Sequence, residues 1–173
     1  TVGLFGAVRV VRQRATRLQR AGRVDPWLGE HQPWAEATLV LLPTDDIVAY
    51  AAPGSPPQVV LSRGLADSLT PDELDAVVGH ELVHLRHRHD RYLVAAAVID
   101  ATLGWIPAMR RSTATLRLGV ERGADEESAH RPGARDSVRR ALVKTSETML
   151  STLPAFAAVC TLAARLDALG TPP

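Results

Sequence analysis

Two histidines four residues apart, with a glutamate directly after the first, form the run His80-Glu81-Leu82-Val83-His84. Side chains of these types at this spacing suit hydrolysis at a metal ion. On a helix, residues i and i+4 lie one above the other on the same face, so both imidazoles can reach one ion. Zinc takes imidazole nitrogen readily and keeps one position open for water, which a neighbouring carboxylate can deprotonate at neutral pH. Glu81 is that carboxylate. Two imidazoles leave zinc one protein ligand short. Glu121, 121 − 84 = 37 residues past the second histidine, is the favoured third ligand, and His130 is its rival. Asp125 favours Glu121: four residues on, it shares a helical face with Glu121 and can hold a ligand imidazole by its second nitrogen.

These side chains need a helix to present them, and the sequence supplies its start. Thr70-Pro71-Asp72-Glu73 reads as a capping box, with Thr70 as N-cap, Pro71 at the first helical position and Glu73 reaching back to the cap. Leu74, Val77, Val78, Glu81, Leu82 and Leu85 follow at helical spacing, so the histidine pair falls inside a helix beginning at about Pro71. Upstream, residues 37 to 42, 47 to 52 and 58 to 62 are short β-prone runs, separated by Pro43-Thr44-Asp45-Asp46 and Pro53-Gly54-Ser55-Pro56-Pro57. The turn signals predict a three-stranded antiparallel meander beside the metal helix. Downstream, His87 and His89 are two apart, point to different sides of a helix and read as surface residues. Residues 92 to 107 and 150 to 166 are nearly continuous apolar runs. Both read as buried or amphipathic helices, because neither reaches the length a bilayer requires and Asp100 would be costly in its interior. The Arg-rich stretch from Arg131 to Arg140 reads as a solvated loop leading into a helix near Ser137. An arginine there, or His130, could face a developing oxyanion, but the spacing selects none of them.

Composition bounds the function classes. The 173 residues suit one domain with a real core, and 46% hydrophobic with 23% charged is ordinary for a globular chain. Aromatic content of 4% and a net charge of +1 argue against nucleic acid as a partner. The one cysteine, Cys160, excludes an intramolecular disulfide and a cysteine-based zinc cluster, and it reads as a small buried hydrophobe. The chain opens on Thr1, which suggests a segment of a longer or processed protein. Residues 1 to 36 begin with Arg9, Arg12, Arg14, Arg17, Arg20 and Arg23 spaced among apolar residues, a basic amphipathic pattern read here as membrane-proximal.

The motif and its surroundings resemble the gluzincin metallopeptidases of bacterial membranes. The likeness is to the BlaR and MecR type, and more distantly to the HtpX and CAAX-prenyl endopeptidases. It is carried by Gln58 to Leu65, Leu69 to Glu73, Ala76 to Asp90, and Glu121 to Asp125, in order and at fitting spacing, within about residues 38 to 130. The resemblance implies His80, His84 and Glu121 as zinc ligands and Glu81 as general base. It also implies membrane helices upstream, a place at the cell membrane with this domain on the cytoplasmic side, and a sheet edge that holds extended substrate. The resulting expectation is an α+β, mostly helical zincin-like domain over residues 37 to 173, with Zn2+ as cofactor and a protein or peptide as substrate. Two competing readings remain. One is a zinc-binding sensor or scaffold that hydrolyses nothing, against which an intact Glu81 argues; the other is a metal-free helical domain with His80 and His84 in its core. The sequence sets neither the substrate's identity nor an oligomeric state.

Overall fold

The computed structural model describes residues 37–131, 133–149 and 155–170. Residues 1 to 36, and with them the basic amphipathic pattern, lie outside the described residues, as does the side chain of Cys160. The described residues form strands β1 (Thr38–Leu42), β2 (Ala49–Ala52) and β3 (Gln58–Ser62). Helices α1 (Arg63–Ser68), α2 (Pro71–Arg86), α3 (His89–Leu103), α4 (Pro107–Ser128), α5 (Ala134–Met149) and α6 (Ala155–Gly170) follow. The α+β, mostly helical expectation holds.

The sheet is mixed rather than an antiparallel meander. Its order is β1-β3-β2: β1 runs parallel to β3, pairing Thr38 with Gln58 and Leu42 with Ser62, while β2 runs antiparallel to β3, pairing Ala49 with Leu61. The cause lies in β3, whose Val59, Val60 and Leu61 are fully buried and therefore need a neighbour on both edges and cover on both faces. The most continuous apolar run takes the centre, and β1 and β2 become the edges. Residues 43 to 48 carry the chain past the end of β3, where the Val48 N–H donates to Ser62 Oγ (3.0 Å) and the Ser62 N–H donates to the Val48 carbonyl (2.9 Å). The Gly64 N–H meets the Thr44 carbonyl at 3.0 Å in the same loop, so close that a Cβ on residue 64 would stand 2.1 Å from the Asp45 carbonyl oxygen. Only glycine allows that approach.

Helix α2 is the axis of the domain. Its capping box forms as the sequence predicts: Thr70 Oγ1 accepts from the Glu73 N–H, and Glu73 Oε2 accepts from the Thr70 N–H at 2.9 Å. Glu73 is 2% exposed, and from α5 Lys144 Nζ (2.6 Å) and Arg140 Nε (3.2 Å) donate to the same carboxylate, so the cap also fastens two helices together. Leu74, Val78 and Leu82 on one side of α2 pack against Leu41, Val59, Leu61 and Leu65. Burial of each such side chain stabilises the fold by about 1.5–3 kcal/mol. On another side Ala76 meets Val138 and Leu142 of α5 and Leu169 of α6. The remaining side faces α4, and it carries both histidines of the motif.

Beyond α2 the chain turns at Arg88, a non-glycine residue in the left-handed region (φ 53°), and starts α3 in a new direction. Helices α3 and α4 form an antiparallel hairpin joined by Gly104, Trp105 and Ile106. The expectation that residues 92 to 107 would be buried or one-sided is corrected here. Of α3 only Ala96 is buried, while Tyr92, Val94, Val98 and Leu103 are exposed. Leu93 and Ile99 are half-buried, and the other large apolar side chains of the helix face outward. Among the described residues no helix is long and apolar enough to cross a membrane.

Candidate metal centre

Four helices converge on one cluster. Helix α2 brings His80 and His84 to one face, as the spacing requires, and α4 lays Glu121 against them. His80 Nε2 and His84 Nε2 are 3.0 Å apart, Glu121 Oε2 is 3.5 Å from His80 Nε2, and Glu121 Oε1 is 3.7 Å from His84 Nε2. Ligands about 2.0–2.1 Å from zinc in a tetrahedron stand roughly 3.3 Å from one another, so one imidazole–imidazole–carboxylate triangle of this size fits the ion. The donor set also suits it, two imidazole nitrogens and one carboxylate oxygen.

Each imidazole is held from behind by its second nitrogen. His80 Nδ1 donates to Asp125 Oδ1 at 3.0 Å, one turn beyond Glu121 on the same face of α4. Arg165 of α6 locks that carboxylate with two parallel bonds, Nε to Oδ2 (2.6 Å) and Nη2 to Oδ1 (2.7 Å), and its Nη1 lies 3.3 Å from Glu121 Oε2. His84 Nδ1 lies 2.9 Å from His89 Nδ1, which the turn at Arg88 swings back over α2. His89 is therefore part of the site and not an isolated surface residue.

The charges follow from these contacts. Burial alone would pull the His80 pKa down, but its bonds to Asp125 and Glu121 outweigh burial and lift it to about 9. Burial and the neighbouring His80 charge push His84 down to about 4. His80 Nε2 faces His84 Nε2 at 3.0 Å, and His84 Nδ1 faces His89 Nδ1 at 2.9 Å. Burial raises Asp125 and Glu121, yet Arg165 and His80 for the first, and His80 and Arg165 for the second, hold both below the usual carboxylate range.

Glu81 sits apart from this ion-pair network. Burial raises its carboxyl above the usual range, against the lowering effect of the His80 charge and a hydrogen bond from the Ala51 backbone of β2. It lines a cavity of about 200 Å³ together with His80, Ile47, Ala49, Val77 and Leu142. One edge strand of the sheet, β2, therefore borders the cluster.

Residues 28–158 match the peptidase family M48. The chain belongs to that family. Similar relatives are HtpX protease homologues. That of Thermoplasma acidophilum is 45% identical over 55 residues, covering 32% of this chain and 17% of the relative. The second homologue of Sulfurisphaera tokodaii is 35% identical over 65 residues, covering 38% and 20%. That of Moorella thermoacetica is 34% identical over 70 residues, covering 39% and 23%. The matched segment thus spans about a fifth of the length of these curated relatives. They are of the HtpX type, the more distant of the two resemblances.

Within the M48 domain, the sequence-derived residues divide clearly. His80, Glu81, His84, Glu121 and Asp125 come together. His130 does not: it is exposed at the end of α4, with Nδ1 on the Glu126 carbonyl at 2.8 Å. His87 faces outward and pairs with Glu127 at 2.7 Å. Of the arginines after residue 130, Arg135 bonds Glu126 and the Leu169 carbonyl, and Arg140 bonds Glu73. Sequence reasoning missed His89 and Arg165. The signal for Arg165 was its position as a lone cation in the apolar run of residues 150 to 166, since such a charge is retained in apolar surroundings only with a partner.

Proposed function

We propose that this M48 domain is a zinc-dependent endopeptidase, with the ion held by His80, His84 and Glu121 and with Glu81 as general base. Zinc bound there would supply a Lewis acid that polarises the scissile carbonyl and acidifies water. The remaining chemistry belongs to the chain. Glu81 accepts a proton from the attacking water and returns it to the leaving amine. Its raised pKa serves that exchange, because a base works best when its affinity for the proton is near that of its partners at working pH. Asp125, clamped by Arg165, fixes the His80 ring with Nε2 turned inward, and His89 does the same for His84.

The observation that carries the reading is Glu81 itself. A site that only stores or senses zinc needs ligands and their supports. It has no need of a half-buried carboxylate with a raised pKa beside the ligands, facing a cavity. The edge strand β2 borders the same cavity, so a substrate peptide in extended form can pair with its outer edge and bring one bond over the cluster. The substrate on this reading is a protein or peptide. From the resemblance, the domain works at the cell membrane, on its cytoplasmic side.

The test is Glu81→Gln. The amide keeps the shape and removes the base, so zinc content by metal analysis stays at the wild-type level while cleavage of a quenched fluorescent peptide falls at least about a hundredfold. Near-normal cleavage by this variant would remove Glu81 from the mechanism.

A further inference from the structure

We infer that the groove between the β2–β3 turn and the end of α2 is a subsite for an acidic side chain of the substrate, read by Arg88 and lying on the N-terminal side of the scissile bond. The inference rests on the peptidase reading and adds a selectivity to it. Strand β2 lies along α2, and three sets of neighbours fix the alignment. Ile47 and Ala49 share a cavity with Val77 and His80, the Ala51 backbone bonds Glu81, and Pro53, Gly54 and Pro57 line the groove together with Leu85 and Arg86. A peptide extended along the outer edge of β2 therefore passes the metal cluster and runs on into the groove. The hollow there is about 500 Å³, and Arg88 and Asp90 complete its lining. Antiparallel pairing is the more stable kind for an added strand, and it brings the N-terminal side of the substrate over Ala52.

Arg88 stands where a side chain is unfavourable. Its backbone is in the left-handed region at φ 53°, a conformation that glycine adopts freely and a Cβ disfavours. The turn that returns His89 to the cluster would be served better by glycine, the usual residue just past a helix end. What the arginine adds is its guanidinium, and the fold makes little use of it. Among the described residues its one ion-pair partner is Asp90, whose Oδ1 lies 3.7 Å from Nε, beyond hydrogen-bond distance. The side chain is 53% exposed. The Nη1–Nη2 edge of a guanidinium takes a carboxylate by two parallel bonds, a geometry that no other cationic side chain offers.

Charge defines the ligand. Arg86 is tied to Glu127 at 2.7 Å, whereas Asp90 stands off from Arg88, so the approach to Arg88 is the electropositive part of the groove. Asp90 lies in the first turn of α3, where the N–H groups of the helix favour an anion and offset part of its charge. A lysine entering the groove would meet two cations, and a glutamine would gain less than a glutamate. Reach defines the position. Pro53 lies 53 − 51 = 2 residues beyond the residue that bonds Glu81, so at about 3.4 Å per residue the groove opens roughly 7 Å past the base. The acidic residue should therefore stand two to four residues before the cut.

Two assays on the full chain loaded with zinc test this, using a neutral peptide in which a single glutamate or glutamine is walked through the positions on either side of the cut. Cleavage by the wild type reads selectivity as kcat/KM, and fluorescence anisotropy with Glu81→Gln reads binding without hydrolysis. Glutamate two to four residues before the cut should improve both by about two- to fivefold over glutamine at low salt, the range of an exposed ion pair, and high salt should erase the gain. Arg88→Gly keeps the left-handed turn, so zinc content should hold while the preference disappears in both assays. Arg88→Glu should reverse it in favour of lysine, which no merely structural role for Arg88 would produce. A wild type that cleaves nothing, with the Arg88-dependent binding preference intact, would sink the peptidase reading and leave the subsite standing. The inference is overturned by a preference that survives in Arg88→Gly, by none at any position, or by one confined to the C-terminal side of the cut.

Discussion

At the scale of single residues, the cluster works as an ordered row of hydrogen bonds from Asp125 through His80 and His84 to His89. An ion held by His80, His84 and Glu121 would need both imidazoles free of a proton at the ligating nitrogen, and this sets how the site responds to pH. The His80 pKa is raised, from 6.5 to about 9, so its imidazolium contributes stability to the metal-free protein that is complete below about 6.5. That stability is lost as the pH climbs through 9. Metal capture has the opposite sign: zinc affinity should rise with pH up to about 9, and calorimetry in buffers of different ionisation enthalpy should detect proton release on binding at pH 7. Uptake without proton release would mean that the row is ordered differently. The two supports behind the imidazoles can be compared directly. His89→Ala should weaken zinc binding by about 10- to 100-fold in competition with a chelator, and His89→Asn, which restores an acceptor, should recover part of the loss. Asp125→Asn should fall in the same range, below the effect of Glu121→Ala, which removes a ligand. Wild-type affinity in His89→Ala would make its contact with His84 incidental.

At the scale of elements, what could be read in advance was local. The capping box, the start of α2 and the shared faces of His80 with His84 and of Glu121 with Asp125 depend on residues three or four apart, whose geometry a helix fixes by itself. Strand order depends on which run most needs cover, a comparison among strands, and there the turn signals misled. Arg165 reaches Asp125 across 40 residues, and nothing in such a separation says that the two will meet. His89 was misplaced for a related reason. The two-apart rule holds only within one helix, and α2 ends at Arg86, so the left-handed turn at Arg88 returns His89 to the metal face. The α2–α5 joint makes a quantitative prediction. Burial works against the Glu73 carboxylate, but Lys144 and the Thr70 backbone hold its pKa down, from 4.5 to about 2. A depressed carboxyl adds stability that is present above 4.5 and lost as the pH falls toward 2. Glu73→Gln should therefore cost about 2–3 kcal/mol at pH 7, as for hydrogen bonds to a charged group, and the half-exposed lysine and arginine keep it from being larger. Melts should show the gap between variant and wild type closing at the acid end. A constant gap from pH 7 to pH 2 would place the stabilisation elsewhere.

At the scale of the whole molecule, the cluster joins the helix that covers the sheet to the helix that leaves the hairpin. Ligand binding to the folded state alone adds RT ln(1 + [L]/Kd), so zinc at a hundred times its dissociation constant should add about 2.7 kcal/mol and raise the melting temperature accordingly. A melt that does not move with zinc would show that the ion is not held between these helices. The arrangement has a topological side as well. In chain terms, His84 and Glu121 are the two ends of a closed loop, and a bound ion would be its clasp, a reversible crosslink enclosing the segment between them. A clasp fixes the ends of a loop and leaves its contour free. Lengthening α3 and α4 together by whole turns at the Gly104–Ile106 tip moves the tip outward without disturbing either end, and closure entropy grows only with the logarithm of loop length. Hairpin length is thus an independent dimension of this architecture, a stem that can be extended or shortened beneath an unchanged centre.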